Sequence, residues 1–186
     1  MNVDKRLQRL IDKDEIRELA LRYCRGVDRK DPSLLRSLYT SDGIDNHANI
    51  FRGSADAYVD FLESSFQFIQ IGAHYVCNHL IELDGDEASG EVYALGYHIL
   101  PSADGPPIES FVGVRYLDRY RREDGEWRFA SREVVVDLDR SRTVEHCGAG
   151  LVDPQEDLSY RVLHGERFRR CSSNYDESAR LGMPTD

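Results

Sequence analysis

The sequence predicts an α+β fold in which three N-terminal helices pack in a curved antiparallel sheet. Up to about residue 68, apolar residues recur every three or four positions, which is the period of a helix. After residue 72 the chain changes to segments rich in Val, Tyr, Phe and Ile that are separated by turn signals. The length of 186 residues fits one such domain. We predict this domain over residues 1–140 and an irregular C-terminal extension over residues 141–186.

The first predicted helix ends around Asp28. Its apolar residues recur at three- and four-residue spacing as far as Val27, which places them on one face. Asp12 or Asp14 is expected to cap the start of its main segment, because a carboxylate can accept the free N–H groups of a first turn.

Two shorter helices are predicted next. Asp31-Pro32 combines a cap residue with proline at the first helical position, and the apolar residues of this second helix continue to Tyr39. The third helix is predicted from Ser54 to about Phe68. Between them, residues 40–53 are expected to form a short strand or hairpin near the mouth of a pocket.

The second half of the domain is predicted to be an antiparallel meander. Its four strands are expected at residues 73–83, 88–100, 108–121 and 126–138. Hairpin turns join them at residues 84–86 and 123–126, and a longer loop covers residues 102–107. Beyond the sheet, residues 154–163 are expected to form a helix, and the polar end of the chain, Ser172 to Asp186, is expected to cover a pocket or a neighbouring subunit.

Composition excludes several classes of function. The net charge of −10 disfavours nucleic acid and anionic membrane surfaces as partners. No apolar run approaches the roughly 20 residues that span a bilayer, and the charged N-terminus lacks a secretory apolar core, so we expect a cytoplasmic protein. The four cysteines form no CxxC pair, and the chain contains no glycine-rich phosphate loop and no metal-ligand spacing. We therefore expect no cofactor.

Tyr23, Asp28 and His74 are the residues best suited to chemistry. Alternation along the first long strand places His74, Val76 and Asn78 on one face, so that an interior face would present His74 and Asn78 to a pocket. A carboxylate that is hydrogen-bonded to an imidazole fixes its tautomer and makes it more basic. Such a pair can remove a proton near neutral pH without a metal.

The residues alone leave two interpretations of these side chains open. An Asp near a helix end is usually a cap, and a His in a strand is usually a core residue with its hydrogen bonds satisfied. His47, in the segment DNHANIF, is either loop chemistry or an extra donor. A set of aromatic residues suits a pocket for an aromatic or alicyclic substrate, or simply a core: Tyr58, Phe61, Phe66, Tyr93, Tyr97 and Phe111.

Four segments, in their order and intervals, resemble the SnoaL-like branch of the nuclear transport factor 2-like superfamily: RYCRGVD, LYTSDG, GAHYVCNHLIELDGDEASGEVYALGYH and RYRREDGEWRFASREVVVD. The resemblance covers roughly residues 8–140 and implies a cone-shaped α+β barrel. In lyases of this branch, a helix-borne Asp pairs with a His at the start of a sheet strand, and this His acts as the base. The resemblance places Asp28 and His74 in those positions.

Particular lyases of this branch imply further roles. Bile acid 7α-dehydratase carries a pocket Tyr five residues before its Asp, which matches Tyr23. Scytalone dehydratase uses a second His on the next strand, which matches His98, although His98 is equally well interpreted as a partly exposed strand residue. Hexachlorocyclohexane dehydrochlorinase and the bile acid enzyme place an Arg late in the last strand, where this chain reads Val134–Val136. Arg132 either takes that role from a shifted register or pairs with a nearby carboxylate.

The resemblance implies a cofactor-independent lyase that removes water, formaldehyde or a similar neutral group from a hydrophobic aromatic or alicyclic small molecule. The expected assembly is a homodimer or homotrimer. An isomerase or cyclase, an epoxide hydrolase with water held by Asp28, Arg132 and Asp137, and a non-catalytic ligand-binding module remain as alternatives. The residues expected to contact the substrate are Tyr58, Phe61, Asn78, Tyr97 and His47.

Overall fold

A computed structural model of the protein describes residues 3–102, 105–145 and 153–170. Its α-helices are α1 Val3–Asp28, α2 Pro32–Ser37, α3 Ala55–Ser65 and α4 Ser159–Val162. Its strands are β1 Tyr39–His47, β2 Phe51–Ser54, β3 Ile71–Asp84, β4 Glu87–Leu100, β5 Ile108–Glu123 and β6 Glu126–Thr143. Short 3₁₀ turns occur at Phe66–Phe68, Pro154–Glu156 and Glu166–Phe168. The α+β fold with three helices ahead of a four-strand meander is confirmed.

The strands form one curved sheet in the order β2-β1-β6-β5-β4-β3. In the described part of the chain the sheet does not close, and β2 and β3 are its edges. The sheet departs from the purely antiparallel prediction at one place, because β1 runs parallel to β6 with Asp45 opposite Arg132. No hairpin joins these two strands, so no tight turn forces them to run in opposite directions.

The start of α1 differs from the prediction. The helix begins at Val3 and passes through Asp12, which is buried and caps nothing. Asp12 Oδ1 instead accepts hydrogen bonds from Gln8 Nε2 at 3.0 Å, Arg122 Nη2 at 2.5 Å and Trp127 Nε1 at 3.3 Å. Burial alone would raise the pKa of Asp12, but these donors hold it below its usual value.

The predicted cap of the second helix is confirmed, and the third helix has a side-chain cap as well. Asp31 accepts the backbone N–H of Leu34 at 3.0 Å, and Ser54 accepts a backbone N–H of the first turn of α3. The predicted extension of the second helix to Tyr39 is wrong, since α2 ends at Ser37 and Tyr39 begins β1. Residues 40–53 contain most of the β1–β2 hairpin, as expected.

The hydrophobic core and a cavity occupy different stretches of the inner face of the sheet. Along β4, Ala88 and Val92 are buried against other apolar side chains. Further along the same face, Gly96 and His98 line a cavity. Since successive side chains of a strand alternate between faces, one strand supplies both the core and the cavity wall.

The described part of the C-terminal extension packs against α1. Arg25 donates from Nη2 to Ser159 Oγ and to the carbonyl of Phe168, both at 3.1 Å, and its guanidinium lies over the ring of Tyr160. The helix predicted at residues 154–163 is reduced to a 3₁₀ turn and the single turn of α4, and β6 runs to Thr143, past the predicted boundary at residue 140. The end of the chain from Ser172 to Asp186 lies outside the described residues.

Two further expectations concern the chain as a whole. Cys24 is a buried free thiol and Cys77 an exposed one, whereas Cys147 and Cys171 lie outside the described residues. Across residues 3–102, 105–145 and 153–170, the helices are all too short or too polar to span a membrane.

Candidate active site

A cavity of about 320 Å³ opens between the helices and the inner face of the sheet. Its wall is mostly apolar, with contributions from α1, α3 and all strands except β2. Among the described residues that line it there is no Asp, Glu, Lys or Arg, and the ionisable side chains are two Tyr of the helices, one Tyr of the sheet and three His. Within the same described ranges, no group of three or more His, Cys, Asp or Glu side chains is arranged to hold a metal ion. The lining residues that carry polar groups relevant below are Tyr23, His47, Tyr58, His74, His98 and Tyr116.

Asp28 and His74 form a hydrogen-bonded pair at this wall. Asp28 Oδ1 lies 2.6 Å from His74 Nδ1, and Asp28 Oδ2 accepts the backbone N–H of His74 at 3.0 Å. The side chain of Asp28 is 15% exposed and that of His74 is 11% exposed, so the pair is mostly buried but reachable from the cavity. Because Nδ1 is engaged by the carboxylate, the neutral ring carries its proton there and offers Nε2 as a base.

His98 lies beside His74 on the neighbouring strand. The two rings meet edge to face with centroids 5.2 Å apart. Burial, and to a lesser degree the nearby His74, lowers the pKa of His98 from 6.5 to about 4. At neutral pH His98 is therefore an uncharged hydrogen-bonding group rather than a reservoir of protons. His98 is a half-buried strand residue, and its side chain lines the cavity.

Gly96 leaves room for the ring of His98 beside His74. It pairs directly with His74 across the β3–β4 ladder. A Cβ at this position would lie 3.1 Å from His98 Cε1, 3.0 Å from Val112 Cγ2 and 3.7 Å from His74 Cδ2. Sequence reasoning did not select this glycine, and a Gly two residues before a candidate pocket His, in ALGYH, was the available signal.

Tyr23 and Tyr58 join α1 to α3 across the cavity. Their hydroxyl oxygens lie 2.7 Å apart and both rings are almost fully buried. Burial raises the pKa of both phenols well above the ordinary value, so both stay protonated at neutral pH. Since only one of the two protons is used between the hydroxyls, the other is available to an oxygen in the cavity.

Arg132 supports the cavity wall from behind and does not line it. It is fully buried, donates from Nε and Nη2 to the two carboxylate oxygens of Asp118 at 2.8 Å, and lies over the rings of Tyr23 and Tyr116 at 4.2 and 4.1 Å. The prediction that Arg132 meets the leaving group from a shifted register is therefore wrong, and its alternative, pairing with a carboxylate, is what the structure shows.

The epoxide hydrolase set is not brought together. Arg132 is bound to Asp118, and Asp137 pairs instead with Arg115 on the outer face of the sheet at 2.7 Å. Asp28 is engaged by His74. The three groups therefore lie in three separate interactions and form no Asp–Arg–Asp set with one another.

His47 is part of a second carboxylate pair on the same wall. Its Nδ1 lies 3.1 Å from Oδ1 of the fully buried Asp45, whose Oδ2 accepts the hydroxyl of Tyr39 at 2.7 Å. The His47 ring stacks on Tyr58 with centroids 5.0 Å apart. Sequence reasoning missed Asp45, although Asp45 and His47 are two residues apart and a strand places such residues on one face.

Asn78 does not reach the cavity. The β3–β4 register shifts between Val76 and His79, so that Cys77 and Asn78 form a bulge. Beyond it the alternation is reversed, with His79 turned toward the interior and Asn78 exposed. The expected contact of Asn78 with a substrate is wrong because strict alternation takes no account of a bulge.

The aromatic residues expected in the pocket divide into two groups. Tyr58 and Phe61 line the cavity, as predicted. Tyr93, Tyr97 and Phe111 do not, because they alternate with the inward residues of β4 and β5 and so lie on the outer face, where the Tyr97 hydroxyl donates to Glu109. Phe66 belongs to the hydrophobic core.

The chain matches one protein family by its sequence. The model of a family described as the SnoaL-like domain matches residues 8–133. No protein with a curated description matches the chain at a significant level.

Several solved structures share the fold. A hexachlorocyclohexane dehydrochlorinase of type 2 is 19% identical, over 77% of this chain and 98% of that one, with a TM-score of 0.69. A Novosphingobium aromaticivorans protein that has been proposed to be a scytalone dehydratase is 23% identical, over 73% and 91%, with a TM-score of 0.65. A Kribbella flavida protein is 24% identical, over 70% and 93%, with a TM-score of 0.64. At these identities the likeness shows a common fold.

Proposed function

The chain belongs to the SnoaL-like domain family, and from this we propose that it is a cofactor-independent lyase in which His74 removes a proton from a neutral, hydrophobic small molecule. The observation that carries the proposal is the contact between Asp28 and His74 at the cavity wall. Both oxygens of Asp28 are used to hold His74, one on its ring and one on its backbone N–H. An imidazole fixed in this way has its Nε2 directed by geometry rather than left to rotate.

The proposed reaction begins with proton abstraction next to an activating group such as a carbonyl. His74 Nε2 takes the proton, and Asp28 stabilises the imidazolium that results. The negative charge that develops on the carbonyl oxygen needs donors. The free proton of the Tyr23–Tyr58 pair and the uncharged ring of His98 supply them without being ionised themselves.

The cavity supports a neutral aromatic or alicyclic substrate. Its described lining residues are mainly Val, Leu, Ile and aromatic side chains, and no Lys or Arg among them would compensate a carboxylate or phosphate. The same absence of a lining cation favours loss of a neutral group such as water or formaldehyde. Two of the structural relatives are named for elimination reactions, a dehydrochlorinase and a proposed dehydratase.

The Asp28–His74 contact also bears on the alternative functions of this fold. An isomerase or cyclase would use the same abstraction by His74 and lose no group, so product analysis separates it from a lyase. A ligand-binding module needs no carboxylate-held imidazole in its wall, and the Asp28–His74 pair therefore favours an enzyme.

Self-association is proposed through the outer face of the sheet. Tyr75, Leu95, Gly113 and Leu138 lie side by side across β3 to β6, and Tyr75 and Leu138 are exposed by 60% and 46%. Exposed apolar side chains in one row favour burial against a second copy in a homodimer or homotrimer. Analytical sedimentation measures the oligomeric state of the protein. The Leu138→Glu variant should sediment as a monomer.

The experiment that tests the lyase is a screen of neutral aromatic, steroid-like and terpenoid alcohols, including a β-hydroxyindanone, with mass spectrometry for loss of water or formaldehyde. His74→Asn keeps an amide that can reach Asp28 and removes the basic nitrogen, so turnover should fall on the order of 10²–10⁴-fold. His164→Asn, at an exposed histidine, is the matched control. Turnover by the His74 variant within a few-fold of wild type would contradict the proposal.

A further inference from the structure

The second carboxylate–imidazole pair, Asp45–His47, lies on the cavity wall without a role in proton abstraction. Asp45 has no exposed surface and its two oxygens are occupied by Tyr39 and His47. His47 retains 20% of its side-chain exposure and lines the cavity. We propose that His47 is the general acid that protonates the leaving group, and that Asp45 is the positioning residue that holds it.

The placement of the two pairs suits opposite tasks. His47 comes from β1 and His74 from β3, and three strands, β6, β5 and β4, separate them in the sheet. The curvature of the sheet brings both to one cavity, from walls that are far apart along the sheet. A substrate between them would meet a base on one side and a donor on the other.

The orientation of the His47 ring is fixed by two contacts. Asp45 holds Nδ1, and Tyr58 stacks on the ring at an interplanar angle of 18°. Nε2 is therefore the nitrogen left for a ligand. Since Asp45 occupies Nδ1, the proton that a general acid delivers has to lie on Nε2, the nitrogen that faces the ligand.

The other polar groups of the cavity are less suited to deliver a proton. Burial keeps His98 uncharged at neutral pH, since its pKa is about 4. Burial also makes Tyr23 a weaker acid by raising its pKa far above the ordinary value. Arg132 is held by Asp118 behind the wall. Among the described ionisable side chains of the wall, two are hydrogen-bonded to a carboxylate, the base His74 and His47. His47 is therefore the candidate that remains for the acid.

The proposed loss of water moves one proton from the substrate to His74 and one from His47 to the leaving oxygen. The C–H bond breaks, its proton goes to His74 Nε2, and its electron pair forms the new C=C bond. The C–O bond breaks with its electron pair on oxygen, and that oxygen takes the proton from Nε2 of the His47 imidazolium. Water leaves, His74 is now protonated and His47 neutral, and exchange with solvent restores both.

This inference rests on the proposed lyase activity, and the test separates the two. His47→Asn, His74→Asn and the control His164→Asn are compared on two probes, a β-hydroxyindanone and the corresponding chloride. Both give the same indenone. Chloride leaves as an anion and needs no proton, whereas the hydroxyl group needs a proton from an acid to leave as water. His47→Asn should lower turnover of the alcohol on the order of 10²-fold or more and leave turnover of the chloride within about threefold of wild type.

The remaining outcomes are distinct. His74→Asn should lose both probes, and if it retains them the lyase proposal itself fails. If His74→Asn loses both and His47→Asn is impaired equally on both, or on neither, the acid role of His47 is overturned. Asp45→Asn should reproduce the leaving-group dependence of His47→Asn in weaker form. Thermal unfolding checks that each variant folds, and His47→Gln replaces His47→Asn if that variant does not.

Discussion

Gly96 and His74 face each other across the β3–β4 ladder, and the missing side chain of the glycine leaves the space that the ring of His98 occupies beside His74. Contacts of 3.0 and 3.1 Å from an added Cβ are too close for the neighbouring atoms to stay where they are. One or both must shift, and His98 is the more movable side chain because the β-branched Val112 is restricted at χ1.

We expect Gly96→Ala to lower turnover more than it lowers stability, because it displaces His98 and narrows the cavity. Steady-state kinetics on the best alcohol of the screen, together with thermal unfolding, separates the two effects. Gly113→Ala is the matched control, since Gly113 also lies in a strand but its added Cβ would meet Leu138 at 3.2 Å on the outer face. Sedimentation checks that this variant keeps the assembly state of wild type. Equal kinetic effects of the two variants would contradict this account of Gly96.

The Arg132–Asp118 pair makes a prediction about stability. Removing the guanidinium leaves a buried carboxylate without its partner, so Arg132→Met should reduce the free energy of unfolding by about 3–5 kcal/mol. The double variant with Asp118→Leu should recover much of this loss, because both charges are then absent. Urea denaturation measures both.

Arg115→Met serves as the comparison, because Arg115 forms its ion pairs with Glu91 and Asp137 at the surface, where they are screened by solvent. Its free energy of unfolding should change little. A loss in Arg115→Met as large as in Arg132→Met would show that burial of the pair is not what matters.

His98 makes a prediction about pH. Its ring takes up a proton near pH 6.5 when it is unfolded and near pH 4 when it is folded, because burial lowers its pKa. Between these values the unfolded state binds more protons, so the stability that His98 contributes is complete above pH 6.5 and is lost as the pH falls toward 4. The His98→Asn variant lacks this titrating group. Between pH 7 and pH 4 its free energy of unfolding should therefore fall by about 2–3 kcal/mol less than that of wild type.

Denaturation curves at a series of pH values provide this measurement. His79, whose pKa is also lowered by burial, is present in both proteins, so its contribution largely cancels in the difference. Parallel curves for wild type and His98→Asn would mean that His98 is not protected from protonation in the folded state.

The sequence predicted the elements better than the contacts between them. The cap at Asp31 could be read from Asp-Pro because capping is local, whereas Asp12 was mistaken for a cap because its partners Arg122 and Trp127 are more than 100 residues away. Tyr39 fitted a helical period but lies in a strand, since pairing with β6 decides its conformation.

The candidate site shows the same division. The spacing of residues alone did not decide whether Asp28 and His74 are catalytic or structural. The resemblance of four segments to a family, in the same order, selected them as the catalytic pair. The prediction that Asn78 contacts a substrate was wrong because a bulge reverses the alternation of the strand. No local residue pattern predicts this bulge. Asp45 and His47 share a face by strand period alone, but that face was recognisable only once residues 39–47 were known to be a strand.

The parallel pairing of β1 with β6 fixes the order in which the cavity can be built. The wall that carries His47 is anchored by contacts such as Asn46 to Glu133, which join residues 87 positions apart in the chain. Closing so long a loop costs entropy that only the finished sheet can offset. On a ribosome, the segment with Asp28 and the strand with His74 can meet while β6 is still unsynthesised, but His47 reaches its place only after the last strand has emerged.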